Sequence, residues 1–198
     1  MEFWEKAFID KQTMWGFEPA QSAVIANAIF IKNELKKLLI PGIGYGRNAK
    51  IFLEHGMQVS GIEISKTAIE IAHQTLSKDL NIIHGSVTEV SLDQFSYDAV
   101  FCHGLLYLLE APERKQLIDD CYAHLDKGGI MIFTVINQNA SNFGQGKKVG
   151  ESQFEMYGGV RLYFYDLAAV YAEFNQCENI EVLDVTEDFP FYLIICRK

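Results

Sequence analysis

The chain lacks several features that would place it in common classes of protein. Of its 198 residues, 17 are basic and 26 are acidic, and the net charge of −9 argues against binding nucleic acid, which requires a basic face. No uninterrupted apolar run approaches the ~20 residues of a membrane-crossing helix, and the N-terminus lacks the basic-then-apolar order of a signal peptide. We therefore expect a cytoplasmic protein whose partner is neither a membrane nor a nucleic acid.

Metal-ligand patterns are also missing from the sequence. The four cysteines form no C-x-x-C pair, and His55, His73, His84 and His124 have no acid or cysteine at the spacing of metal ligands. The sequence therefore predicts a protein without a metal.

The residues that are present indicate one domain over 1–198, because 49% are hydrophobic and 13% are aromatic. Strand-like apolar runs alternate with helical patterns, which is typical of right-handed βαβ units. The last two runs, "IEVLDV" and "FPFYLIICRK", are joined by a connection too short for a crossover helix, so they should pair antiparallel. The sequence predicts an α/β fold with a doubly wound, mostly parallel seven-stranded sheet and a C-terminal antiparallel hairpin. The five earlier strand candidates are "KLLIPG", "MQVSGIEIS", "NIIHGSV", "YDAVFCH" and "GGIMIFTVI".

Two segments are expected to lie over the sheet. Residues 1–35 include the helical pattern "PAQSAVIANAIF" and are predicted to form an N-terminal helical cover. Residues 137–161 are rich in glycine and polar side chains, and a connection of that length is more often a lid than a plain turn. Because this segment follows a strand's carboxyl end, where doubly wound folds bind ligands, we predict a lid loop.

A glycine loop follows the first strand in "LLIPGIGYGRNAK". Gly42, Gly44 and Gly46 allow a ligand to approach the backbone, but Arg47 stands where a nicotinamide fingerprint needs a further glycine. Glu63 ends the second strand, where an acid can accept hydrogen bonds from both hydroxyls of a ribose. The combination favours a nucleoside-type ligand without a pyrophosphate. S-adenosylmethionine fits, with its carboxylate at the loop and its ribose at the acid.

The stretch "LLIPGIGYGRNAKIFLEHGMQVSGIEISKTAIEIA" resembles the first two motifs of class I S-adenosylmethionine-dependent methyltransferases. Its P-G-x-G-x-G opening and "GIEIS" are similar to thiopurine and thiol methyltransferases, and "GYGRNA" to tellurite-resistance-type enzymes. Further resemblances, "FSYDAVFCHGLLYLL" and "HLDKGGIMIFT" among them, extend over nearly the whole chain. The resemblance implies transfer of a methyl group to a small molecule, with S-adenosylhomocysteine as product. A thiol or another soft nucleophile is the acceptor that it suggests.

The resemblance also implies a set of cofactor contacts. Ser86 stands where the family usually has an aspartate for the adenine amino group, so adenine is expected to be held by packing near Val87 and by backbone contacts. Pro41, Ile43 and Phe8 are further departures from the family's common residues. The expected cofactor-binding residues are Trp15, Gly42, Ile43, Gly44, Gly46, Glu63, Ile64, Ser86, Val87, Cys102 and His103.

Methyl transfer is an in-line displacement, and the protein contributes mainly by aligning the acceptor and excluding water. His103 is the leading candidate for a catalytic base because it ends the fourth strand, and Tyr107 is the second catalytic candidate and a substrate contact. Alternatives stay open for both residues. His103 could pack on the cofactor or bond to the backbone, and Tyr107 could be a half-buried residue that packs in a helix. Tyr157, Arg161 and Tyr163 are predicted to contact substrate, although Arg161 equally suits a surface ion pair.

Three other functions stay open at this point. A dehydrogenase that binds NAD is disfavoured by Arg47, and a non-catalytic S-adenosylmethionine-binding regulator would keep the glycine loop and Glu63. A protein or nucleic-acid methyltransferase would need a basic or extended docking surface, which the acidic composition does not provide.

Overall fold

The computed structural model describes residues 2–92 and 94–198, which form an α/β fold around a seven-stranded sheet. The strands are β1 (Lys37–Pro41), β2 (Gln58–Glu63), β3 (Asn81–His84), β4 (Tyr97–Cys102), β5 (Leu125–Ile136), β6 (Lys147–Lys148), β7 (Gln153–Met156), β8 (Val160–Tyr163), β9 (Asn179–Thr186) and β10 (Pro190–Arg197). The helices are α1 (Glu2–Lys11), α2 (Gln21–Lys32), α3 (Ala49–Glu54), α4 (Lys66–Thr75), α5 (Ala111–Ala123) and α6 (Leu167–Glu173).

The main sheet has the strand order β3-β2-β1-β4-β5-β10-β9. Strands β1 to β5 run parallel, and β10 pairs antiparallel with both β5 and β9. This arrangement confirms the predicted doubly wound sheet with its C-terminal antiparallel hairpin. The order of the strands reverses between β1 and β4, and a reversal of this kind opens a crevice at the carboxyl ends of the strands.

Short-range sequence signals fix several helix ends. Ser65 begins α4, and its hydroxyl accepts a hydrogen bond from the Ala68 backbone N–H at 3.1 Å. Glu110 and Glu113 form a capping box at the start of α5. Two buried clusters cover the two faces of the sheet, so the parallel strands read as continuous apolar runs.

The predicted lid loop over 137–161 contains regular structure. Strands β6, β7 and β8 form a separate antiparallel sheet of three strands. Phe154 and Leu162 are buried in a third apolar cluster together with Phe164, so this segment has a small core of its own. Part of the predicted lid loop is therefore a small sheet rather than irregular chain, because alternate residues of β7 and β8 are apolar. A lid role for this sheet stays a prediction.

The N-terminal segment packs as two helices, α1 and α2, within the predicted cover over 1–35. Glu5 of α1 joins this cover to the start of α4, because its carboxylate accepts hydrogen bonds from Ser65 Oγ at 2.6 Å and Thr67 Oγ1 at 2.7 Å. These bonds, the one from Ser65 first, hold the pKa of Glu5 below its usual value. None of the described helices has the length and apolarity to cross a membrane.

Candidate functional site

The sequence-predicted residues gather at the carboxyl edge of the parallel strands. The glycine loop follows β1, Glu63 ends β2, Ser86 follows β3, and His103 follows β4. The turn between the antiparallel strands β9 and β10 returns to the same edge and contributes Glu187. Loops that are far apart in the sequence thus surround one crevice.

All three loop glycines have a left-handed backbone, with φ of 67° at Gly42, 58° at Gly44 and 84° at Gly46. A residue with a side chain adopts these angles only with strain, so glycine is required here for the turn itself. The backbone N–H groups of Gly42 and Ile43 both donate to the Ile62 carbonyl, at 2.9 and 3.1 Å, which ties the loop to the end of β2.

Side chains around the loop give a second reason for glycine at two positions. A Cβ atom at Gly42 would lie 3.0 Å from Leu105 Cδ2, and a Cβ atom at Gly46 would clash with Leu76 Cδ1. Gly44 differs, because a Cβ atom there would meet only Phe8 at 3.9 Å, an ordinary contact. Gly44 is therefore the loop residue whose backbone a ligand can approach most directly, beneath the ring of Phe8.

Glu63 lies beneath the loop and is 5% exposed. Its Oε2 accepts the Gly44 N–H at 2.8 Å, and its Oε1 accepts the N–H groups of Ile64 and Ser65, each at 2.9 Å. Burial raises the pKa of this carboxyl, while the three backbone donors act in the opposite direction. A carboxylate has about four lone-pair positions. Within the described residues one position, on Oε2, is left for a ribose hydroxyl, so recognition of both hydroxyls requires the Gly44 bond to open.

An aromatic cluster joins the N-terminal cover to the glycine loop. Trp15 stacks on Tyr45 with ring centroids 6.2 Å apart and planes at 8°, and Phe8 meets both rings edge-on. The Tyr45 hydroxyl accepts a hydrogen bond from the backbone N–H of Trp15 and donates one to the backbone carbonyl of Gly16. Trp15 thus lies near the loop, and its contact with a cofactor stays a prediction. Sequence reasoning missed Tyr45, whose position between two loop glycines could have indicated its role.

Four further predicted cofactor contacts lie at the same edge but serve the fold. Ile43 is 6% exposed and packs against Gly61 beneath the loop. Ser86 bonds Thr88 within its own turn, Oγ to Oγ1 at 2.9 Å, and Val87 is half-buried against the core. Cys102 is fully buried, and burial raises the pKa of its thiol. Their roles in binding a cofactor, like that of Ile64, stay predictions.

His103 has protein partners at both ring nitrogens. Its Nδ1 lies 3.1 Å from Ser22 Oγ and 3.2 Å from Thr134 Oγ1, and its Nε2 lies 3.9 Å from Glu187 Oε2. The pKa of His103 is lowered, mainly by burial. The charge of Arg47 also lowers it, whereas the charges of Glu187 and Asp188 raise it. The ring is therefore neutral near pH 7.

The surroundings of the neutral ring indicate which nitrogen carries the proton. A lone pair on Nε2 would be repelled by the Glu187 carboxylate, whereas a proton on Nε2 is attracted to it. The proton of the neutral ring is therefore on Nε2. Nδ1 then accepts a hydrogen bond from the hydroxyl of Ser22 or Thr134. Thr134 Oγ1 itself accepts the Gly104 N–H at 3.1 Å, so it is free to donate its own proton. With this arrangement the Nδ1 lone pair is directed into the protein.

Tyr107 follows β4 in a 3-10 turn over Leu106–Leu108. Its ring lies 6.1 Å from that of Phe191, which is in turn 5.9 Å from His103. Burial, followed by the charge of Glu187, raises the pKa of Tyr107 far above its usual value, so the phenol stays protonated. Tyr107 thus borders the His103 cluster, although its catalytic role stays a prediction.

The three predicted substrate contacts of the small sheet have other partners. Tyr157 lies at the tip of the β7–β8 hairpin, is 61% exposed, and accepts a hydrogen bond from Asn142 at 3.1 Å. Arg161 pairs with Glu110 at 3.0 Å and Glu155 at 3.5 Å. Tyr163 lies under the Arg114 guanidinium, 4.0 Å from ring centroid to Cζ. These contacts account for Arg161 and Tyr163 without a substrate, whose recognition stays a prediction.

Metal chemistry has no candidate site in the part of the chain that the structure describes. Among residues 2–92 and 94–198, no group of three or more histidine, cysteine, aspartate or glutamate side chains could hold a metal ion. The donor set at the crevice instead consists of backbone N–H groups, one buried carboxylate and aromatic rings. That set fits a nucleoside with an amino-acid end.

Comparison with known proteins supports this interpretation. Residues 39–133, from β1 into β5, match the protein-family model Methyltransf_11, described as a methyltransferase domain. The chain is 28% identical to a ubiquinone biosynthesis O-methyltransferase of Alkalilimnicola ehrlichii over 114 residues, which are 56% of this chain and 45% of that protein. A protein of the same name from Idiomarina loihiensis is 27% identical over 136 residues, 64% and 55% of the two chains. The chain spans about half the length of these curated relatives.

Solved structures agree over nearly the whole chain. A 1,6-didemethyltoxoflavin-N1-methyltransferase of Burkholderia thailandensis, crystallised with S-adenosylhomocysteine, has a TM-score of 0.75 at 14% identity, covering 98% of this chain and 84% of its own. The methyltransferase CcbJ of Streptomyces caelestis has a TM-score of 0.74 at 16% identity, covering 98% and 97%. This chain has the class I methyltransferase fold. The prediction of fold from the glycine loop and the strand order is thereby confirmed.

Proposed function

We propose that the protein is an S-adenosylmethionine-dependent methyltransferase that acts on a small molecule. The observation that carries this proposal is the buried Glu63 carboxylate bonded to the Gly44 N–H at the carboxyl edge of the sheet. A carboxylate there suits a ribose, and the open backbone of Gly44 suits the amino-acid end of the ligand. S-adenosylmethionine, when bound, supplies a methyl group activated by a sulfonium.

The chain's own residues would hold and shield this ligand. Glu63 and the glycine loop bind it, and the aromatic cluster of Phe8, Trp15 and Tyr45 lies above the loop. Ring faces attract a cation, so these rings suit a sulfonium as well as excluding water.

The nature of the acceptor is the finer part of the proposal. The resemblance to thiopurine, thiol and tellurite-resistance-type enzymes suggests a soft nucleophile, whereas the curated relatives are O-methyltransferases of ubiquinone biosynthesis. An acceptor whose lone pair is already free, such as a thiolate or a neutral amine, needs no base, which agrees with the Nδ1 of His103 being directed at the hydroxyls of Ser22 and Thr134. The fold alone does not choose among acceptors.

Two other functions make different predictions. A non-catalytic regulator would bind S-adenosylmethionine but turn over no acceptor, and an NAD-type oxidoreductase would bind the dinucleotide. Arg47 replaces the third fingerprint glycine, and its Nε donates to the Glu18 carbonyl at 2.6 Å, so this residue holds the N-terminal connection rather than a pyrophosphate.

Calorimetric titration of the purified protein with S-adenosylmethionine, S-adenosylhomocysteine and NAD tests the proposal. We expect the two adenosyl ligands to bind in the micromolar range and NAD not to bind. Binding of NAD alone, or of none of the three, would contradict it. Incubation with S-adenosylmethionine and a panel of thiols, phenols and amines, followed by mass spectrometry for methylated product, then separates an enzyme from a regulator.

A further inference from the structure

We propose that Glu187 is the acceptor-binding residue and that it selects an amine over an anionic acceptor such as a thiolate. This inference rests on the proposed function and specifies its substrate class. It follows from how Glu187 is held, what it faces, and where charge develops during the reaction.

Glu187 is held in place by two neighbours at the crevice. Its Oε1 accepts the backbone N–H of Ser22, at the start of α2, at 2.7 Å. Its side chain is 12% exposed, and its Oε2 faces His103 Nε2 at 3.9 Å. That distance is too long for a hydrogen bond. In the described part of the chain Oε2 accepts no hydrogen bond, so a largely buried carboxylate oxygen is left for a donor from outside.

His103 orients Glu187 and does not itself contact the acceptor. Its Nδ1 is directed at the hydroxyls of Ser22 and Thr134, so it offers no lone pair to an incoming acceptor. Its Nε2, which carries the proton, faces the Glu187 carboxylate at 3.9 Å. On this proposal His103 is a positioning residue, and the role of catalytic base predicted from the sequence stays an untested alternative.

An opening leads to this carboxylate from solvent. A cleft of about 260 Å³ lies between residues 19–21, Arg47 and residues 186–188. Two carboxylates, Glu187 and the exposed Asp188, line it against the single guanidinium of Arg47, which is anchored to the Glu18 carbonyl. The cleft therefore disfavours an anion. The ring of Phe191 lies 5.9 Å from that of His103 and 6.1 Å from that of Tyr107.

Charge movement during transfer favours the same class of acceptor. A protonated amine first loses its proton to solvent, and the nitrogen lone pair of the resulting neutral amine forms the new N–C bond. The electrons of the broken S–C bond stay on sulfur, and the positive charge moves onto nitrogen. A carboxylate beside that nitrogen is stabilising where charge develops. The extra proton of the methylated ammonium then leaves to solvent. A thiolate acceptor would instead lose its negative charge during transfer. Before transfer, the nearby Glu187 carboxylate would repel the bound thiolate and raise its energy.

The test compares three ligands of one carbon skeleton: benzylamine, benzyl alcohol and benzyl mercaptan. Each is titrated calorimetrically into the protein saturated with S-adenosylhomocysteine, and again into the protein alone. Variants are Glu187→Gln, which keeps an oxygen to accept the Ser22 N–H, and Asp184→Asn, an exposed acid of β9 three residues earlier, as the matched control. Thermal melting shows whether each variant is folded.

We expect benzylamine to bind wild type more tightly than the other two ligands. Glu187→Gln should weaken benzylamine by about tenfold, the effect of removing one charge-assisted hydrogen bond, and leave benzyl alcohol unchanged. Asp184→Asn should change neither. No binding of benzylamine to wild type, a preference for the mercaptan, or equal loss for all three ligands would overturn the inference. S-adenosylhomocysteine could fail to bind while the protein alone still prefers the amine. That result would contradict the proposed function but would support Glu187 as an amine-binding residue.

Discussion

The glycine loop and the His103 cluster lie side by side at one edge of the sheet, yet the chain builds them in different ways. The loop and Glu63 come from a single continuous stretch, and backbone N–H groups bond the Glu63 carboxylate. The His103 cluster joins side chains from α2, β4, β5 and the β9–β10 turn. Ser22 and Glu187 are 165 positions apart in the sequence.

The difference suggests a division of labour. A site made by the backbone of one βαβ unit is fixed by the fold and suits a ligand shared by many relatives. A site made by side chains from separate elements can change residue by residue without disturbing the sheet. We therefore expect substitutions in the two regions to separate cofactor binding from acceptor binding.

The largest effect is expected from Glu63→Ala. It removes the proposed ribose acceptor and leaves the N–H groups of Gly44, Ile64 and Ser65 without their partner. Loss of several hydrogen bonds to a charged group should weaken S-adenosylhomocysteine by about 100-fold or more. Calorimetry on the variant and on Glu70→Ala, which alters an acid on α4, measures this. Equal affinity of wild type and Glu63→Ala for S-adenosylhomocysteine would contradict the assignment of Glu63 as the residue that binds the ribose.

Gly46→Ala should destabilise the loop by about 2 kcal/mol, because it combines a strained φ with a clash. Gly56→Ala is the matched control: its φ of 78° is similar to the 84° of Gly46, but a Cβ atom there meets nothing within 4 Å. Urea unfolding of both variants isolates the contact with Leu76. If the two variants lose the same stability, the close approach of α4 does not matter.

Thr134→Val tests the second region. The hydroxyl is buried and accepts the Gly104 N–H, so its loss should cost about 1 kcal/mol of unfolding free energy. Because the Thr134 hydroxyl bonds Gly104 and His103 rather than Gly44 or Glu63, affinity for S-adenosylhomocysteine should stay within about twofold of wild type. Thr75→Val, an exposed threonine on α4, is the control for the substitution itself. A large loss of ligand affinity in Thr134→Val alone would show that the regions are coupled.

The smallest effect concerns pH. The pKa of Glu63 is raised in the folded protein, chiefly by burial, above its ordinary value of 4.5. The folded state therefore holds this proton to higher pH than the unfolded chain, and the group's contribution to stability falls as pH rises from about 4.5 through the folded pKa. Urea unfolding from pH 4.5 to 7 should show a decline that is shallower in Glu63→Gln. A steeper decline in the variant would contradict the raised pKa.

Sequence reasoning predicted the main sheet because each strand and helix carries its own local signal. Ser65 shows this for helix ends, since a serine directly before a helical pattern is a local cap signal and its hydroxyl caps α4. The small sheet of β6 to β8 was missed because glycine and polar residues dominated the segment. Alternating apolar residues on both sides of Tyr157-Gly158-Gly159, with Phe154, Met156, Val160 and Leu162, carried a hairpin signal.

The candidate site was predictable to the extent that it is contiguous. The glycine loop and Glu63 lie at one edge because each directly follows or ends a parallel strand, which the sequence shows. Ser22, Thr134 and Glu187 were not predicted, because nothing local distinguishes them from other polar residues. Only the antiparallel return of β10 beside β5 brings Glu187 to His103.

A crystal structure of the complex with S-adenosylhomocysteine tests the central claim most directly. The account predicts a ribose hydroxyl within about 3 Å of Glu63 Oε2 and the amino-acid end against Gly44. A second cleft, of about 280 Å³, lies at the end of the loop away from Glu63 and Gly44 and is lined by Tyr45, Gly46 and Leu76 among others. Adenosyl density in that cleft, with Glu63 still bonded only to the backbone, would contradict the account.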